Sequence, residues 1–289
     1  MITLVIGPGY TGSRVLERLP ADSATALGRS LTGDGHLDLD SDAPPVELPA
    51  PRSVIYPVPP ASGQSGDTRL RRFMDRLPQA PQRFVYLSTT GVYGNRDGAI
   101  VDETSEPQPE SERSQRRLEA ETLLQDWCRE RMTTPIILRV PGIYGPGRLG
   151  FDRIRAGTPI LDEQDANPGN RIHVDDLVTC CIAALSPEVP GGIYNVGDGD
   201  TRSTTWFTNE VARQARLSPP PTISREEAEQ TFSEARLSFL RESRVIDTNK
   251  MRETLGVTPT YTNPVDGIAA SLVFDSPSQA GSEDTFSRK

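Results

Sequence analysis

The chain has 289 residues and a formal net charge of −9, with 35% hydrophobic residues; its mean hydropathy is −0.47. That is material for one large α/β domain, or for a nucleotide domain with a smaller lobe. The negative charge disfavours nucleic acid as a partner, and no run approaches the roughly 18–20 apolar residues of a membrane span.

The opening residues, Thr3-Leu4-Val5-Ile6, form a short β-branched and apolar run. It ends in Gly7-Pro8-Gly9-Tyr10-Thr11-Gly12, a G-x-G-x-x-G turn, and a helix follows with Val15, Leu16 and Leu19 on one face. Strand, glycine turn and helix in this order predict dinucleotide binding. Gly7 permits the turn, Gly9 admits the diphosphate, and Gly12 lets helix pack on strand. Tyr10 and Thr11 contribute to the same cradle, where backbone N–H groups and the helix dipole favour an anion. This direct entry into a strand leaves no room for a targeting peptide, so a cytoplasmic protein is expected.

Ala24–Leu27 reads as the second strand, ending in Gly28-Arg29-Ser30. An acidic residue at this point would bind the adenosine 2′-hydroxyl; here Arg29 and Ser30 suit a 2′-phosphate instead, which favours NADP over NAD. The bland alternative is that Arg29 is a solvated turn residue. His36–Asp40 reads as a third short strand, with Asp38 available to the adenine. Residues 41–52 are proline-rich and linker-like. Ser53–Pro60 reads as a strand running into a loop, and Leu70, Phe73, Met74 and Leu77 mark an amphipathic helix. Arg83–Leu87 is a further buried strand. Such alternation predicts an α/β, doubly wound parallel sheet of the Rossmann type. Cys128, Cys180 and Cys181 are odd in number and lie in apparent helices. They fit neither a disulfide framework nor a metal site, and read as small buried hydrophobes in a reducing compartment.

From residue 86 the chain resembles a known family. Tyr86-Leu87-Ser88-Thr89-Thr90-Gly91-Val92-Tyr93-Gly94 is similar to the strand-end motif of the extended short-chain dehydrogenase/reductases, the group of the NAD-dependent epimerases and dehydratases. Leu138-Arg139 with Tyr144-Gly145-Pro146, then His173-Val174-Asp175-Asp176, then Tyr194-Asn195-Val196-Gly197 continue the match in order. The resemblance covers residues 1 to about 270. It implies catalysis by a Ser or Thr with a Tyr-x-x-x-Lys pair, whose i and i+4 residues share a helix face. Thr89 matches the Ser/Thr position; it orients a substrate oxygen or simply bonds backbone in a turn. The Tyr-x-x-x-Lys pair itself is absent, since the lysines are only Lys250 and Lys289. By register Arg113 takes the tyrosine position and Arg117 the lysine position. Arg117 can keep the electrostatic and ribose-binding work, but a guanidinium does not exchange a proton at working pH. This is the pattern of atypical members. Tyr144 is the nearest substitute proton carrier by register, with a packed ring as its bland reading. Two more possibilities stay open: chemistry that needs no protein phenol, and a non-catalytic dinucleotide sensor.

Residues 1–148, with parts of 170–200, are expected to form the dinucleotide domain, and 149–275 mostly a smaller α/β substrate lobe. Gly169 stands where the resembled epimerases carry a diphosphate-gripping arginine, which weakens the expectation of a nucleotide-sugar substrate. Arg171 is a candidate anion contact or an ordinary salt-bridged strand residue. His173 reads as packed and hydrogen-bonded, and Asp175 as the N-cap of the next helix. Ser224-x-x-Glu227 has the form of a capping box. Arg241, Arg244 and Asn249 are placed at the far wall of the cleft, and 276–289 as a disordered tail. The expected partner is a small polar molecule. Dimerisation through the helix holding Arg113–Trp127 is common in the resembled family.

Overall fold

The computed structural model describes residues 2–32, 35–41, 48–63 and 66–274. Its first strand, β1 (Ile2–Ile6), leads into α1 (Tyr10–Arg18), and β2 (Ala24–Leu27) and β3 (Pro51–Tyr56) follow. Then come α2 (Thr68–Arg76), β4 (Arg83–Thr89), β5 (Ile100–Val101), α3 (Glu112–Glu130), β6 (Thr134–Val140), β7 (Gly142–Tyr144), α4 (Phe151–Arg155), β8 (Ile160–Leu161), β9 (Arg171–His173), α5 (Val174–Ala183) and β10 (Gly192–Asn195). Six strands make one sheet in the order β10-β6-β4-β3-β1-β2, every pairing parallel. The expected doubly wound sheet is therefore the observed one. The order reverses between β1 and β3, and the glycine turn leaves β1 at that switch point, where open α/β sheets bind ligands.

The strands are mostly apolar because both sheet faces are covered. Side chains alternate along β1, so Val5 joins Val15, Ile55, Val85, Leu177 and Cys181 on the α1/α5 face. Leu4 and Ile6 join Val54, Leu70, Phe73, Phe84, Leu124 and Cys128 on the α2/α3 face. All three cysteines are buried and free, and burial pushes the Cys128 and Cys181 thiols up to about 12.

Beyond β10 the chain adds α6 (Thr204–Gln214), β11 (Thr222–Ile223), α7 (Arg225–Thr231), α8 (Glu234–Arg241), β12 (Val245–Ile246), α9 (Asn249–Glu253) and α10 (Pro264–Phe274). A separate small core of Tyr144, Leu149, Ile154, Val211, Ala212 and Ile268 joins α4, α6 and α10. The capping box at Ser224 and Glu227 is formed. No helix among the described residues is long and apolar enough to cross a membrane.

Four local expectations are corrected or fall outside the described residues. His36–Asp40 is not a strand; a single bridge joins His36 to Gly28. The Asp38 carboxylate accepts the Asp40 N–H at 2.9 Å, a local turn that competes with a strand ladder. Leu161–Asn170, polar and acidic in sequence and expected as a loop, opens instead on a short strand, Ile160–Leu161 pairing in parallel with Thr222–Ile223. Asp175 is not the N-cap of α5: His173 is, its Nδ1 accepting the Asp175 N–H at 3.2 Å. Half of the proline-rich stretch 41–52, residues 42–47, and the tail 276–289 lie outside the described residues.

Beneath the C-terminal end of the sheet, Glu121 of α3 and Arg139 of β6 form an ion pair at 2.7 Å, with side chains 1% and 2% exposed. Ser88 at the end of β4 donates to the same Glu121 carboxylate, and the Arg139 guanidinium lies 4.7 Å from the centre of the Tyr93 ring. Removing one partner leaves an uncompensated buried charge, which typically costs about 3–5 kcal/mol. Glu121→Ala and Arg139→Ala are each expected to lower unfolding stability by about that amount in urea titrations. Glu121→Leu combined with Arg139→Met should recover most of the loss; a double variant as weak as the singles would show that shape, not charge, dominates there.

Candidate functional site: a glycine-floored, arginine-lined cleft

A cleft of about 910 Å³ opens over the C-terminal ends of β1, β3, β4 and β6. Gly7, Gly9, Tyr10, Thr11 and Gly12 line one side of it, with Arg29, Ser30 and Asp38 near them and Thr89, Arg113 and Arg117 across from β4 and α3. The cofactor-binding residues expected from sequence thus lie along one cavity, together with Thr89 and Arg117.

The glycine turn has the geometry its sequence demands. Gly7 sits at φ +80, and a side chain there would press on Val58 at 2.7 Å. A Cβ on Gly12 would strike the Gly7 carbonyl oxygen, whereas one on Gly9 would meet nothing within 4 Å. Gly12 is therefore fixed by packing. Gly9 is not; its bare face opens onto space that a close-approaching diphosphate would fill. Gly9 precedes α1 without any side-chain cap, so the N–H groups of Thr11 and Gly12, which lack intrahelical acceptors, are available to an anion.

Arg29 is 70% exposed at its side chain and reaches Asp40 at 3.2 Å. Asp40 is held more tightly by Arg69, through both oxygens at 2.6 and 2.7 Å. That hydrogen bonding, with the nearby guanidiniums, keeps the Asp40 carboxyl below its usual range against the opposing effect of burial.

Thr89 caps the short turn at 90–93, its Oγ1 accepting the Gly91 N–H at 3.1 Å. The bond uses a lone pair and leaves the hydroxyl proton to donate. Arg117 is anchored through Nη1, which donates to the Tyr86 hydroxyl at 2.9 Å, the Leu87 carbonyl at 2.8 Å and the Val58 carbonyl at 3.4 Å. These bonds fix the guanidinium at the ends of β3 and β4. Arg113, one helical turn earlier at i−4, and Arg116 line the same cleft.

Tyr144 is outside this lining. It is 3% exposed, packed at 5.2 Å against both His173 and Phe207, and its buried hydroxyl has no hydrogen-bond partner among the described residues. Burial raises its phenol far above the ordinary value. His173 is buried and hydrogen-bonded to Ser271 at 3.2 Å, and burial lowers its pKa. Arg171 bonds Asp200 at 2.9 Å and the Arg202 and Ser203 carbonyls. A side chain on Gly169 would collide with it. Arg241, Arg244 and Asn249 are outside the cleft lining too, each paired locally.

Sequence reading missed Arg148. Its guanidinium lies 4.0 Å from the Tyr10 ring centre, and Arg14 lies 4.2 Å from the same point. The Tyr10 hydroxyl donates to the Pro146 carbonyl at 2.9 Å. Among the described residues six arginines line the cleft (29, 69, 113, 116, 117 and 148) against two aspartates, Asp38 and Asp40. The site is strongly cationic within an acidic protein.

The family model described as "NAD dependent epimerase/dehydratase family" matches residues 65–197, the stretch that builds the β4 end, the α3 arginines and the Asn195 strand. The chain is similar to that family over those residues, which make up less than half of its length. A conserved protein of unknown function from Silicibacter pomeroyi shares the fold with a TM-score of 0.78 at 27% identity, over 95% of this chain and 99% of that one. MoeE5, solved in complex with UDP-glucose and NAD, superposes with a TM-score of 0.73 at 22% identity, over 95% and 98% of the two chains. Protein YeeZ of Escherichia coli K12 is 29% identical over 187 residues; the match spans 63% of this chain and 62% of that relative.

The two glycines give separable outcomes. Gly9→Ala is expected to keep wild-type thermal stability yet weaken dinucleotide binding about tenfold or more. Gly12→Ala is expected to destabilise the fold, on the order of 1–3 kcal/mol by overpacking. Thermal melts and cofactor titration of both variants check the pair; a Gly9→Ala protein that binds normally would remove the diphosphate from this turn.

Proposed function

We propose that this protein is an epimerase/dehydratase family member that binds a nicotinamide dinucleotide, with NADP preferred, and acts as an oxidoreductase or epimerase-like enzyme on a small polar substrate without a Tyr-x-x-x-Lys pair. The observation that carries the reading is the bare face of Gly9, opening beside an uncapped helix start into a long cleft at the sheet's switch point. The bound dinucleotide would supply hydride exchange. The protein's own residues hold and orient. Gly7, Gly9, Tyr10, Thr11 and Gly12 cradle the diphosphate, Asp38 meets the adenine, Arg117 contacts the nicotinamide ribose, and Thr89 donates its hydroxyl proton to a substrate oxygen.

The preference for NADP rests on Arg29 and Ser30. Because Arg69 already satisfies Asp40 through both oxygens, Arg29 is the exposed cation that a 2′-phosphate can recruit. Arg29→Ala is expected to weaken NADPH binding about tenfold, about 1.4 kcal/mol, while changing NADH binding less than twofold. Fluorescence titration of the pure protein with both cofactors reads this directly. NADH binding tighter than NADPH would reverse the preference, and binding of neither would end the proposal.

A second reading is supported by one observation. Apart from arginines, the only ionisable side chains lining the cleft among the described residues are Tyr10, Asp38 and Asp40. None belongs to the Thr89 end, and Tyr144 is enclosed in another core. A non-catalytic dinucleotide sensor needs no proton carrier there. A substrate screen following NADPH absorbance separates the two: turnover that falls at least about tenfold in Thr89→Ala supports catalysis, and cofactor binding with no turnover supports the sensor.

A further inference from the structure

We infer that Arg113 is a substrate-binding residue, and that the cleft beside Thr89 takes a substrate bearing an oxyanion, a carboxylate or a phosphate. The inference rests on the dinucleotide reading above for where the substrate lies, and deepens it by naming the substrate's charge.

Arg113 stands in the first turn of α3, facing the cleft. Its guanidinium lies 4.5 Å from the ring centre of Phe239, a side chain that is itself 58% exposed. An arginine laid on an aromatic face keeps its edge free for in-plane hydrogen bonds, the geometry that suits a carboxylate or phosphate fork. Among the described residues Arg113 makes no ion pair. The charges that act on it are Glu242, Arg117 and Arg244. Glu242 is already engaged, bonded to Arg244 at 2.8 Å, and Arg244 also donates to the Gly94 carbonyl at 2.8 Å. Arg117 spends Nη1 on the ends of β3 and β4. The cluster therefore holds three guanidiniums to one carboxylate, with Arg113 alone among the three making no hydrogen bond to protein among the described residues.

A cation whose one nearby carboxylate is already paired, standing beside two other cations, is unfavourable in the cleft, and an anionic ligand relieves it. No carboxylate of the protein lines the Thr89 end of the cleft among the described residues, so no internal acid competes for that role. Nor would a neutral polyol use the charge. The stacked guanidinium, the spent neighbours and the missing internal counter-ion together select an oxyanion.

Inorganic phosphate and malonate serve as probes of the two oxyanion sources, with glucose as the neutral control at matched ionic strength. Calorimetric titration into NADPH-saturated protein keeps the diphosphate cradle filled. Wild type is expected to bind phosphate, malonate or both, and not glucose. Arg113→Ala and Arg113→Gln are expected to lose at least tenfold in that affinity and Arg113→Lys to lose less, while NADPH affinity changes less than twofold in all three. Whichever probe binds tighter names the group. Equal probe affinity in wild type and Arg113→Gln, or binding of neither probe to wild type, would overturn the inference even with NADPH binding intact. If NADPH fails to bind wild type, the dinucleotide reading falls on its own, and the same titrations without cofactor still decide whether Arg113 holds an oxyanion. Circular dichroism of each variant confirms folding, and Phe239→Ala, which removes only the stacking surface, should weaken probe binding in the same direction.

Discussion

The cleft is built on a buried charge pair. Glu121 and Arg139 face each other in an interior where isolated ions are costly, and the cost is offset only because each is engaged on several sides. Ser88 donates to Glu121, and the Tyr93 ring lies beside Arg139. The Tyr93 hydroxyl in turn donates to Asn195 at 2.7 Å, whose N–H is taken by Glu103 at 2.7 Å. One chain of polar contacts thus ties β4, α3, β6, β10 and the β5 edge together. Thr89 is the neighbour of Ser88, so the network sets the height and orientation of a residue that lines the cleft. A polar floor of this kind specifies one arrangement, because any slip strands a charge in the core.

The same arginine chemistry serves two opposite purposes in α3 and β6. Arg139 is enclosed, paired and structural, whereas Arg113 and Arg117, on an adjoining helix, present charge to the cleft. What distinguishes them is the partner. With nearly all the chain's basic residues being arginine, every such position is permanently charged and forms planar, directional bonds. The result is a site able to hold anions and orient them, but poorly equipped to move protons by itself.

Much of this architecture was legible in the sequence because it is written in local rules. β1, the glycine turn and α1 announce themselves by period and by glycine spacing, and β4 with its strand-end motif does the same. Other features rest on partners far apart in the chain. Glu121 and Arg139 look like an ordinary surface acid and a strand arginine until packing encloses both. The alternating His36–Asp40 pattern suggests a strand, yet Asp38 bends the backbone onto its own side chain. Cap preferences select Asp175 over His173, while in the fold the imidazole nitrogen takes the N–H. Arg148 is silent in sequence because its contact is with a ring 138 positions earlier.

That long-range contact has a consequence for how the protein is made. The Tyr10 hydroxyl is anchored to the carbonyl of Pro146, 136 residues away. The glycine turn is encoded in the first dozen residues, but its outer wall is supplied only when the middle of the chain has been synthesised. At about 5–20 residues per second, the ribosome delivers that wall roughly 7 to 27 seconds after the turn itself. Throughout that interval the nascent chain carries its glycine loop without the brace that finishes it, so the outer wall of the cleft is completed well after the turn that opens it.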